Sequence, residues 1–115
     1  ASDASGKYVV VEYVDNEMVV VESPAVANHY LCEAKLNVGL TEGDDRHAKL
    51  CERYEQTGGM MNVKQLTEAI ESVSQPERED FLGTAWTMVM DLKNPSVTYY
   101  SRRHFDKPFH FELKK

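Results

Sequence analysis

The sequence predicts an α+β domain built mainly from antiparallel strands. Three observations lead there. Runs rich in β-branched and aromatic residues sit near both ends of the chain, helical periodicity fills the middle, and the strands at each end are joined by short turns. The chain has 115 residues, a normal size for one domain, and the expected organisation is a single domain over residues 1–115.

The first strand is "KYVVVEY" (7–13) and the second "EMVVV" (17–21). Asp15-Asn16 between them suits a hairpin turn. Tyr8, Val10 and Glu12 fall on one face of the first strand, and Val9, Val11 and Tyr13 on the other. Both faces are largely apolar, so the sheet is expected to be covered on both sides.

Thr41-Glu42-Gly43-Asp44 has capping-box spacing and predicts a helix from there to about residue 56. His47, Leu50, Cys51 and Tyr54 recur at helical spacing and form its inner stripe. Gly58-Gly59 supplies a left-handed stop. Asn62 caps a second helix with the stripe Val63, Leu66, Ile70 and Val73, and Pro76 begins a new turn or a short third helix. The chain then returns to strands, "TAWTMVMDL" (84–92) and "VTYYSRRHF" (97–105), joined through "KNPS". The order is two strands, two or three helices, two strands.

The net charge is −6, which argues against a nucleic-acid or anionic-membrane partner. Two cysteines are too few for a disulfide framework. No run is long and apolar enough to span a membrane. The start, "ASDASGKYVV", has the character of neither a signal peptide nor a charged targeting segment and enters a strand almost at once, as a fragment or a processed chain would. The compartment is left open, with cytoplasm as the default.

Two constellations could carry chemistry through cysteine. His29, Cys32, His47 and Cys51 make a Cys2His2 set with spacing a zinc ion accepts. The same residues offer Cys–His pairs one helical turn apart, which nucleophilic catalysis could use if a thiolate formed beside its base. Against both stands the ordinary preference of free cysteine for partly buried, inert positions. There is no serine nucleophile elbow, phosphate-binding glycine loop or dinucleotide fingerprint.

The runs "DASGKYVVVEY" (3–13), Asn28-His29-Tyr30-Leu31, Asp45-Arg46 and "TAWTMVMDL", in that order, resemble the C-terminal part of an N-terminal-nucleophile amidohydrolase. The resemblance is to the choloylglycine hydrolase family and the related acyl-coenzyme A:6-aminopenicillanic acid acyltransferase family, and it covers nearly the whole chain. It implies part of an αββα sandwich, in which two facing sheets carry helices outside. It also implies cleavage of linear amides by an N-terminal cysteine, with no cofactor. Carried across residue by residue, Asn28 matches the asparagine that helps form the oxyanion hole, and Arg46 matches an arginine near the nucleophile. Ala27 stands where the family often has threonine. The family's nucleophile lies upstream of the matched segment, so the partners implied are the N-terminal remainder of the same enzyme and a small amide substrate. Self-association through uncovered edges and an apolar face is also expected. The alternative reading is a non-catalytic α+β binding module, with zinc held by His29, Cys32, His47 and Cys51 as a possible stabiliser.

Overall fold

The computed structural model describes residues 1–3, 5–27, 31 and 45–114. The chain divides into two compact units, Ala1–Gly59 and Met60–Lys115. The α+β class with antiparallel sheets is as the sequence predicts, and the described residues form two sheets and two helices.

In the first unit, β1 (Val10–Val14) pairs antiparallel with β2 (Glu17–Val21), Val14 opposite Glu17 and Val10 opposite Val21. Asp15 and Asn16 close the hairpin at φ 52 and 65. Consecutive left-handed residues give the turn a twist that matches the strands, and Asp and Asn tolerate that conformation best after glycine. The expectation that both faces are covered does not hold. Glu12 and Val14 are buried, whereas Val11 and Tyr13, on the opposite face, are exposed. Buried Glu12 is satisfied in part by the Leu31 backbone N–H, which donates to its Oε1 at 2.6 Å.

The helix α1 (Arg46–Gln56) begins after Asp45, which makes no side-chain cap bond. Its carboxylate instead pairs with Lys49 at 2.9 Å. The capping box expected at 41–44 lies outside the described residues. The stripe His47, Leu50, Cys51 and Tyr54 is half-buried as a set, while the other residues from 48 to 56 are exposed. Gly58 and Gly59, at φ 65 and 75, end the helix, and the Gly59 N–H returns to the Tyr54 carbonyl at 2.9 Å. The glycine stop appears as its residue type requires.

In the second unit, Asn62 caps α2 (Val63–Ser72) with a full capping box. The Gln65 N–H donates to Asn62 Oδ1 at 2.8 Å, and the Asn62 N–H donates to Gln65 Oε1 at 3.0 Å. The buried centre of this helix is Ala69, only 1% exposed; Val63 and Leu66, expected in the inner stripe, are exposed. The small alanine side chain brings the helix backbone close to β3, against which α2 packs. No helix follows Pro76. Arg78 and Phe81 instead close a tight turn through paired backbone bonds.

A three-stranded antiparallel sheet completes this unit: β3 (Trp86–Asp91), β4 (Ser96–Ser101) and β5 (Phe109–Glu112), in that order. Asp91 organises the β3–β4 turn by accepting from the N–H groups of Lys93 and Asn94 at 2.9 and 3.0 Å. Those bonds, that of Asn94 foremost, hold its carboxyl below the ordinary range. The predicted strand 97–105 stops at Ser101, because Arg102 turns into the left-handed region at φ 51. The strand β5 had no counterpart in the sequence reading.

Candidate functional site

Of the residues singled out from sequence, Asn28, His29 and Cys32 lie outside the described residues. Arg46 opens α1 and is half-buried. His47 and Cys51 lie one turn apart on α1, with Cys51 Sγ 3.6 Å from His47 Nε2. That spacing is what the sequence predicts for two residues four apart on a helix. Burial, and then the neighbouring Glu55 carboxylate, push the Cys51 thiol up. A nucleophilic cysteine needs the opposite shift, since the thiolate is the reactive species. Among the described residues no group of three or more His, Cys, Asp or Glu side chains is placed to hold a metal ion.

The feature best built for function in the second unit is a sheet face. The register places Trp86, Met88 and Met90 of β3, Val97 and Tyr99 of β4, and Phe109 and Phe111 of β5 on one side. Side chains alternate along each strand and paired residues share a face, so this set follows from the pairing. Tyr99 and Phe109, directly opposite each other, meet at 6.3 Å between ring centres. The other side carries Thr87, Val89 and Tyr100, all buried. Tyr100 also stacks at 5.1 Å on Phe105 from the β4–β5 connection. Along β3 and β4 one face of the sheet is therefore covered, and the other face is open.

The open face is large enough to matter. Trp86, Phe109 and Phe111 are 55%, 54% and 58% exposed. An aromatic side chain buries about 150–250 Å² when fully covered, so these three rings leave roughly 300 Å² open to water. Met88 and Met90, also exposed, extend the patch to roughly 450 Å², a size at which apolar patches on monomers are often functional. The β3 and β4 contributions are legible in the sequence as strands, whereas Phe109 and Phe111 are not. Their signal was the alternation F-H-F-E, a four-residue pattern beside a charged tail.

No known protein family, curated protein or solved structure matches this chain. The resemblance to N-terminal-nucleophile hydrolases therefore rests on the residue runs alone.

Proposed function

We propose that the open apolar face of the β3–β4–β5 sheet is a docking surface, and that this chain works as one part of a larger β-layered protein. The supporting observation is the two-sidedness of the sheet: α2 packs against β3, and the face carrying Trp86, Met88, Met90, Phe109 and Phe111 is exposed. Sheets with one helix-covered face and one apolar face pack against a second sheet about 10 Å away.

The residue runs add a chemistry to this architecture. In an αββα sandwich each sheet has helices outside and the partner sheet inside. On that reading the whole protein is an amide hydrolase of the N-terminal-nucleophile class, similar to choloylglycine hydrolases, and its N-terminal remainder supplies the second layer and the nucleophilic cysteine. The cysteine sulfur attacks the amide carbonyl, the C–N bond breaks, and the amine leaves with the proton that the cysteine's α-amino group took up. Water then hydrolyses the thioester. Asn28 donates an N–H bond to the oxyanion of each tetrahedral intermediate, and Arg46 lies near the nucleophile. In the longer polypeptide Asn28→Ala should lower kcat about 10²–10³-fold with little change in folding, because one oxyanion donor is worth ~2.7–4 kcal/mol in the transition state. Arg46→Ala should slow turnover, and Arg53→Ala, on the exposed side of α1, serves as the neutral control. Wild-type kcat in Asn28→Ala would remove the hydrolase assignment.

A second reading keeps the docking face and drops the chemistry: a non-catalytic α+β module that binds a partner's β-layer. The exposed sheet face supports it directly, since docking calls on no catalytic residue of this chain. The two readings separate on one result, amide turnover by the longer polypeptide.

A further inference from the structure

The α2–β3 connection closes on itself at its base and is joined there by one bond to the β4–β5 connection. The Thr84 N–H donates to the Gln75 carbonyl at 2.9 Å, the Gln75 N–H donates to Thr84 Oγ1 at 2.7 Å, and the Arg102 N–H donates to the Ala85 carbonyl at 2.8 Å. Between the connections lies a cavity of about 320 Å³, with Glu77, Leu82 and Thr84 on one side and Arg102, Arg103 and His104 on the other. This volume is at the small end of ligand-binding clefts.

Three consecutive residues lining one cavity is not what a strand produces, because side chains alternate along it. Arg102, at φ 51, breaks the alternation at the end of β4 and brings both guanidinium groups to the same cleft. An arginine in that conformation is an uncommon outlier of the kind that gathers at binding sites. The two arginines are held differently. Arg103 Nε donates to Ser74 Oγ at 3.0 Å, and the Ser74 hydroxyl donates its own proton to the Glu71 carbonyl at 2.7 Å. Ser74 must therefore accept from Arg103, which fixes the guanidinium plane. Among the described residues the terminal nitrogens of Arg103 make no further hydrogen bond. Arg102 Nη1 faces Glu77 Oε2 at 3.6 Å. The two arginines and Glu77 together leave one positive charge, and Leu82 offers an apolar wall.

We propose that this cleft binds a small monocarboxylate with an apolar body. The planar fork of Arg103 matches a carboxylate in a way that a point charge does not. A phosphate dianion would call on both arginines, one of which is already opposed by Glu77. His104 flanks the anion and Leu82 packs the apolar body.

The test is titration of the full chain with hexanoate, followed by backbone amide NMR, with hexanol and inorganic phosphate as separate arms. Hexanoate should give saturable shifts centred on Thr84 and Arg102–His104, and hexanol none. Arg103→Gln should weaken hexanoate binding about tenfold or more, the scale of a lost charge-assisted bond. Arg103→Lys keeps the charge but loses the fork, and should also bind more weakly while the rest of its spectrum reports an intact fold. Glu77→Gln releases Arg102 and should tighten binding. Absence of saturable shifts at these amides, or unchanged affinity in both Arg103 variants, would overturn the site. Phosphate binding as tightly as hexanoate would overturn the carboxylate assignment.

Discussion

The phenolic oxygens of Tyr8 and Tyr54 lie 3.1 Å apart, with their rings edge to face at 5.9 Å. Tyr8 precedes β1 and Tyr54 belongs to the half-buried stripe of α1, so this pair joins helix to hairpin within the first unit. The hydrogen bond shared with Tyr54, which holds the neutral phenol, is the main cause that raises the Tyr8 hydroxyl above its ordinary value, followed by burial. The neutral phenol is the form the fold prefers. Its contribution is present in full below about pH 10, the unfolded value, and is lost as pH rises through the higher native one.

Tyr54→Phe tests this pair because it keeps the ring and removes the bond. At neutral pH the variant should melt a few degrees lower than the parent, by roughly 2–6 °C for a chain of this size. The difference should shrink above pH 10, and tyrosinate absorbance should show one phenol ionising earlier in the variant. A curve that differs only by the loss of one tyrosine's signal would mean that the Tyr8–Tyr54 bond is not formed in solution.

Gly83→Ala should be among the most destabilising single changes in the second unit. The residue sits at φ 75, and an added Cβ would lie 2.6 Å from the Gln75 carbonyl oxygen and 2.8 Å from the Pro76 carbonyl carbon. Left-handed strain alone costs about 1–2 kcal/mol for a non-glycine residue. The backbone collision should add to this, for at least about 2 kcal/mol in total. Gly58→Ala has a similar φ of 65 but open space around the new atom, so its loss should be limited to the strain. Denaturant unfolding of both variants checks the ordering.

Such relationships divide into those legible in the sequence and those that are not. Asp15-Asn16 and Gly58-Gly59 could be read because their φ values demand particular residue types. The helix stripe of α1 could be read because four residues repeat at one spacing. Three features could not. Arg102 carries no sequence mark of a left-handed residue, so the fourth predicted strand ran past its true end at Ser101. The strand β5 is fixed by pairing with β4 across a loop, and its four residues are too few for periodicity to stand out. In α2 the bulk of Val63 and Leu66 marks an apolar stripe, but it is Ala69 whose small size permits close packing. Of the proposed catalytic pair, only Arg46 lies among the described residues.

Asn62→Ala should cost about 1 kcal/mol by removing the side chain that accepts from the Gln65 N–H. The Gln65→Ala variant removes the reciprocal bond to the Asn62 N–H and should cost less, since an exposed N–H can turn to water. A double-mutant cycle on thermal unfolding should show the two effects coupled.

The open sheet face should make the chain associate weakly with itself, a second copy covering the exposed rings. Two copies meeting through it would bury roughly 900 Å², less than the ~1,200 Å² of a stable specific interface. Sedimentation should therefore show concentration-dependent dimers with a dissociation constant in the micromolar range or weaker. Met88→Asp places a charge at the centre of the patch on an exposed position. It should abolish the dimer and leave the melting temperature nearly unchanged.

Trp86 is the chain's single tryptophan, and it lies on this face. Its fluorescence therefore reports burial of the surface without any label. The most direct test is its emission maximum followed across a dilution series, in the parent and in Met88→Asp. A docking face predicts a blue shift as the parent is concentrated, in step with the sedimentation coefficient, and a fixed solvent-exposed maximum in the variant. A parent whose Trp86 emission stays at the exposed value at every concentration, while the protein remains monomeric, would contradict the docking surface.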